Sequence, residues 1–120
     1  MGAFGAHELK SVLASHGTHD IWETAVFYHL VHAVALLGVG IQDRQAVRQA
    51  SLPLSRWLVW ATRCWSLGVM LFSGSLYALA LGGPPRLLGP VTALGGLALL
   101  AGWGCVIAEA LTVTRPTDKS

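Results

Sequence analysis

Charge is scarce in this chain. Eight Lys and Arg with six Asp and Glu make up 12% of its 120 residues, about half the usual charged share. A net charge of +2 without any basic run leaves no electrostatic footprint for nucleic acid. Cysteine is nearly absent. Cys64 and Cys105 both fall inside apolar segments, where free thiols packing like small hydrophobes are favoured over a disulfide. The opening MGAFGAHELK has no basic n-region, and it places His7 and Glu8 where the apolar core of a secretory signal would run. No CxxC, phosphate-cradling glycine loop or Ser/His/Asp arrangement occurs. An enzyme is therefore not expected, and neither a cofactor nor a metal is.

What is abundant is apolar. Hydrophobic residues reach 53% and the mean hydropathy is +0.56. A soluble domain of this length has too little polar surface to cover such a chain, whereas lipid-facing positions need no polar cover. The chain is organised around residues 67–82, LGVMLFSGSLYALALG, which hold no charge and carry Ser73-Gly74-Ser75 in their middle.

Residues 8–15 place Leu9, Val12 and Leu13 at helical spacing, which predicts a short amphipathic helix lying at the membrane interface. His16-Gly17-Thr18-His19 breaks it. Asp20-Ile21-Trp22-Glu23 fits a capping box. The helix it opens, residues 21–41, spans roughly 30 Å at about 1.5 Å per residue, the thickness of the hydrocarbon layer. Gln42 and Asp43 end it, and residues 42–55 read as a polar loop closed by Pro53. The next helix runs from near Leu54 to Leu81. Arg56, Arg63, Trp57, Trp60 and Trp65 mark its first turns as interfacial, leaving 64–81 as the span. Gly82-Gly83-Pro84-Pro85-Arg86 turns the chain back. A last apolar run starts at Gly89-Pro90 and crosses at about 91–111, before a polar tail. One membrane domain, 1–120, results: an all-α antiparallel helical bundle of three transmembrane helices plus the interfacial N-terminal helix.

Three spans put the N-terminus and the 82–86 turn on one side. That side carries Lys10 and Arg86. The other carries Arg44, Arg48, Arg56, Arg115 and Lys119. The excess predicts that the second side, with the C-terminus, is cytoplasmic.

Tyr28, His29 and His32 fall well inside the first span, and positions 28 and 32 share a helix face. Polar groups at that depth face the bundle interior and find a partner. One reading is a polar track, or a haem or metal site. The simpler one is an interhelical hydrogen bond, to Ser73 or Ser75. Two His at i, i+3 can ligate a metal, but no third ligand of matching depth is evident. Ser73-Gly74-Ser75 reads as packing, with Gly74/Ala78 and Ala98/Gly102 at small-xxx-small spacing. Gly95-Gly96 is the candidate pair for an unwound transport site. His7, His16 and His19 share a side with Asp20 and Glu23. A surface metal site is one reading of them, and exposed loop and cap residues are the simpler one.

GAFGAH (residues 2–7), the Trp22…Tyr28…His32 helix, LFSGSLYALAL (71–81), GPVTALGG (89–96) and AGW (101–103) resemble the YgdD/YwdK-like family. These are small bacterial inner-membrane proteins of unknown function with a mitochondrial branch in eukaryotes. The resemblance covers nearly the whole chain and implies a four-helix membrane fold, not an activity. It singles out Gly5 and His7. In that family GAFGAH ends a first transmembrane helix, which this sequence does not show. An apolar-coding run upstream of Met1 is therefore expected, and restoring that helix leaves the loop assignment unchanged. Ala93 stands where relatives carry proline in a VTPxGG pattern, so the last helix starts less rigidly here.

The expected function is that of a small scaffold, accessory or assembly protein in the bacterial plasma (inner) membrane. Its partners are the lipid bilayer and further copies of itself or a larger membrane complex. The alternative is a small transporter or permeation protein using the Tyr28/His29/His32 track. A haem carrier or enzyme is the third and weakest reading.

Overall fold

Two glycines with left-handed backbone divide the chain. The computed structural model describes residues 3–49 and 54–113. These form four helices and no strand: α1 (Ala3–His16), α2 (His19–Arg48), α3 (Arg56–Ala80) and α4 (Pro85–Val113). Pro53 and residues 114–120, with Arg115 and Lys119, lie outside the described residues.

Both α1 and α3 end in the same backbone device. Gly17 has φ of 64° and Gly82 of 94°, a region where a Cβ is penalised. After α1, the Gly17 N–H donates to Ala14 O at 3.3 Å and the Thr18 N–H to Leu13 O at 3.1 Å. After α3, Gly82 N–H reaches Leu79 O at 3.1 Å and Gly83 N–H reaches Ala78 O at 2.8 Å. These paired bonds satisfy the last carbonyls of each helix. The break at residues 16–19 is therefore where the sequence places it, although α1 begins earlier than Glu8, at Ala3.

Three further boundaries differ from expectation. The capping box at Asp20 does not form. The N-cap is Thr18, which makes no side-chain cap bond. Its hydroxyl donates instead to Ala80 O at 2.6 Å, pinning the start of α2 to the end of α3. Helix α2 also continues past Ile41 to Arg48. Gln, Arg and Ala propagate a helix well, and no glycine or proline interrupts them, so polarity ends the apolar run without ending the helix. Helix α4 starts at Pro85, not at Gly89-Pro90. Pro85 suits the first helical position because its fixed φ is already helical, and the Leu88 N–H closes the turn on Pro84 O at 3.2 Å. Pro90 then sits inside the helix and withholds one N–H from the Arg86 carbonyl.

The molecule is a flat layer of 67 × 32 × 16 Å. Its length exceeds the ~45 Å of a 30-residue helix, because α1 extends past the end of the other three and packs against them near its last turn. There Leu13 is buried and the His16 ring lies against Gly82. Helix α3 is central, packed against α2 on one side and α4 on the other.

The α3–α4 contact is close at three glycines. A Cβ on Gly95 would run into the Phe72 backbone, one on Gly68 into the Leu99 side chain and backbone nitrogen, and one on Gly102 into the Trp65 indole. Small residues admit such approach, but at i, i+7 on α4. Gly74, expected in that role, is exposed with nothing within 4 Å.

Two helices, α2 and α4, are long and apolar enough to cross a membrane, not the three expected. Helix α3 is missing from that pair because Arg56, Arg63, Ser66, Ser73 and Ser75 dilute its apolar content. Where it is buried on two sides it carries Ser73 and Ser75, whose hydroxyls bond α2 and α4.

Candidate functional site

The interior polar groups meet along α3. His32, on α2, is 3% exposed. Its Nδ1 lies 2.8 Å from the Tyr28 carbonyl one turn back. Trp103, on α4, donates its indole N–H to His32 Nε2 at 3.0 Å. An Nε2 that accepts carries no proton, so the ring proton belongs on Nδ1 and donates to Tyr28 O. Rings enclose this imidazole. Tyr28 stacks on it with an interplanar angle of 9°. Trp65, from α3, and Trp103 both approach edge-on, with centroids 6.2 and 5.9 Å away. The two indoles touch each other at 4.8 Å. Trp65 is itself 2% exposed, and its Nε1 has no hydrogen-bond partner.

Ser73 and Ser75 are both buried, and neither bonds to His32. Ser73 donates to Ala25 O on α2 at 3.0 Å. The Ser75 hydroxyl meets that of Thr92 on α4 at 2.5 Å. The two serines are two residues apart and so face opposite neighbours, one per side of the central helix. His29 is exposed and hydrogen-bonds the Tyr77 hydroxyl at 3.2 Å, with Trp22 packed on the Tyr77 ring at 4.7 Å. Of the five polar residues, Tyr28 and His32 share one contact, and His29, Ser73 and Ser75 each make another. No single cluster gathers them.

The interhelical bond expected for His32 exists, but its partner is Trp103 and not Ser73 or Ser75. The available signal was Trp103 itself, a large N–H donor between Gly102 and Gly104 in an otherwise aliphatic run. Trp65, which its place in the sequence assigns to the interface, is instead buried beside this ring, and the Tyr77 and Thr92 contacts have no signal in the sequence.

With one ring nitrogen donating and the other accepting, His32 has no lone pair to offer a metal. Beside it a groove of about 290 Å³ opens between α2 and α4, lined by Tyr28, His32, Phe72, Leu99, Leu100 and Trp103. Its lining is mostly apolar. The other histidine cluster lies at the start of α2, where His19, Asp20 and Glu23 hold ligand atoms within 4.8 Å of one another, all exposed. His19 Nδ1 is 3.5 Å from Glu23. His7 and His16 do not join it. His16 Nδ1 instead lies 2.9 Å from Val12 O, and His7 is exposed on α1, the helix that also holds Gly5. Cys64 and Cys105 are free thiols, each half-buried.

The ends of the layer are tied as well. Ser55 accepts the Leu58 N–H at 3.3 Å as the N-cap of α3. Its hydroxyl donates to the Glu109 carboxylate of α4 at 2.5 Å.

The sequence model of a family described as "Protein of unknown function (DUF423)" matches residues 1–96. The chain is 36% identical over 115 residues to the UPF0382 inner membrane protein YgdD of Escherichia coli K12, covering 96% of this chain and 81% of that protein. It is 34% identical over 111 residues to the UPF0382 membrane protein YwdK of Bacillus subtilis, covering 92% and 84%. With the UPF0382 membrane protein SH2409 of Staphylococcus haemolyticus it shares 40% over 102 residues, covering 85% and 75%. No solved structure matches the chain. The apolar helices α2 and α4 agree with the membrane named for these relatives, and the chain belongs to this DUF423 family of membrane proteins whose function is unknown.

Proposed function

We propose that the protein is a multi-pass component of the bacterial inner membrane that acts as a scaffold, accessory or assembly subunit, by packing and not by catalysis. The observation that carries this reading is the use of its buried polar groups. His32 is the buried ionisable side chain among the described residues, and both of its nitrogens are consumed within the bundle. Ser73 and Ser75 spend their hydroxyls on helix contacts. Such bonds fix helix positions in a membrane, where no water competes for them. Meanwhile α2 and α4 turn Phe27, Leu30, Val34 and Leu37, and Leu94, Leu97 and Leu100, outward, as a lipid- or partner-facing surface requires.

In this reading α3 crosses with its neighbours. It is packed along both, and its buried serines Ser73 and Ser75 bond to them. With α3 as the third span, the arginine excess at the α2–α3 end favours a cytoplasmic C-terminus.

The alternative, a small transporter using Tyr28, His29 and His32, draws on the groove beside His32. Two measurements separate them. Tagged protein extracted in mild detergent should travel as a homo-oligomer or with a larger membrane complex, and purified protein in liposomes should show no pH-dependent flux. A flux that is abolished by His32→Ala would replace the scaffold reading with the transporter. A visible Soret band would replace both with a haem carrier.

A further inference from the structure

Helix α2 outlasts its own apolar stretch. The hydrophobic run closes at Ile41, but the helix continues to Arg48. One rod therefore carries an apolar column and, directly beyond it, a cationic one. Leu37, Ile41, Arg44 and Arg48 recur at i, i+4, i+7 and i+11, on a single face. Two adjoining depressions follow that face. One of 410 Å³ runs past Leu37, Gly40 and Ile41 to Arg44, and one of 200 Å³ is bounded by Ile41, Arg44, Gln45 and Arg48. The site of a Cβ on Gly40 has nothing within 4 Å, so the apolar end is open to the side.

The two arginines at the polar end are exposed and have no ion pair or aromatic contact among the described residues. Asp43 lies off their face, about 100° around the helix from Arg44. Among the described residues, the other two arginines of this end are engaged already. Arg56 lies over the Trp57 ring at 5.4 Å and Arg63 over the Trp60 ring at 5.5 Å.

We propose that this face of α2 binds an anionic phospholipid. The phosphodiester sits across Arg44 and Arg48, within reach of the Gln45 amide, and one acyl chain lies along Leu37, Gly40 and Ile41. Guanidinium groups hold phosphate oxygens through paired N–H bonds. The change from apolar to cationic along one helix is the order in which a lipid presents tail and headgroup. The proposal rests on the reading that α2 crosses the membrane with this end in the cytoplasmic leaflet, the leaflet whose anionic lipids attract basic segments.

The test uses the full chain in mixed micelles, titrated with phosphatidylglycerol or phosphatidylcholine, with bound lipid counted by native mass spectrometry and thermal unfolding followed in parallel. Phosphatidylglycerol should bind and raise the melting temperature, and phosphatidylcholine should do neither. Arg44→Gln/Arg48→Gln should weaken binding at least tenfold while circular dichroism stays unchanged. Arg56→Gln/Arg63→Gln, which removes the same charge, should leave binding intact. Equal loss in both pairs would overturn the site in favour of general interfacial charge. So would a melting shift reproduced by inorganic phosphate alone, or an Arg44/Arg48 variant that changes oligomer mass instead of lipid count. The membrane reading fails separately, if alkaline carbonate releases the protein from membranes. A protein that stays in the membrane and ignores phosphatidylglycerol sinks the lipid site alone.

Discussion

The Trp103 indole N–H and the His32 imidazole, 71 positions apart, meet at 3.0 Å. This bond joins the two outer helices of the layer, α2 and α4, across the central one. It also sets the tautomer of His32, because the second nitrogen must then serve the Tyr28 carbonyl. The histidine is thus held as a neutral structural crosslink, with Trp65 and Trp103 closing around it.

Nitrogen-15 spectra of the protein should show His32 with its proton on Nδ1. Trp103→Phe keeps a ring at this position but removes the donor, leaving a buried acceptor unpaired. Such a group costs about 1–3 kcal/mol, and the loss should appear as a lower unfolding midpoint in detergent. An unchanged midpoint together with an Nε2-protonated ring would mean that the bond contributes nothing.

Close helix approach makes a sharper contrast. Gly95→Ala places a methyl against the Phe72 backbone, which has no flexible end to move aside. Overpacking costs about 1–3 kcal/mol where side chains can yield, so Gly95→Ala should reach or exceed that range. Gly74→Ala meets empty space and should be neutral or stabilise the helix by up to about 1 kcal/mol. Melting both variants in the same detergent checks the pair, and equal effects would contradict the α3–α4 geometry.

Much of this arrangement is legible in the residue order. The breaks at Gly17 and Gly82, the N-cap region of α3 and the all-helical layer follow from local chemistry, since glycine and proline act on their own neighbours. What is not legible is pairing. His32 announces that it needs a partner, but every helix offers some donor. Only the rotation of α4, set by Gly95 and Gly102 against α3, brings Trp103 round to it. The α2 boundary is hidden for a different reason. Polarity marks the end of a membrane-compatible stretch, whereas helix ends are set by capping and breakers, and residues 42–48 contain neither. The failure of the Asp20 capping box follows from Thr18, whose hydroxyl is committed to Ala80 O, with the helix already begun at His19.

Ser55 serves two helices at once, capping α3 through Leu58 N–H and donating to Glu109 of α4. Ser55→Ala should cost about 1 kcal/mol from the cap alone. Glu109→Ala should cost less in a chain that already carries Ser55→Ala than in the parent, because the shared bond is gone. A double-mutant cycle on unfolding free energies measures that coupling, and additive effects would show that the Ser55–Glu109 contact carries no energy.

Helix α3 is the one whose composition falls short of a span on its own, so its crossing needs a direct test. With Cys64→Ala and Cys105→Ala as background, single cysteines are introduced at two exposed positions flanking α3, Gln49→Cys before it and Arg86→Cys after it. If α3 crosses with the orientation proposed above, a membrane-impermeant maleimide added to intact cells labels Arg86→Cys. It labels Gln49→Cys only after lysis. Labelling of both from outside would place the two ends of α3 on one side, and the bundle would have two spans. The reverse pattern would keep three spans and invert them, because the arginine excess would then face outward, against the bias that orients short membrane proteins.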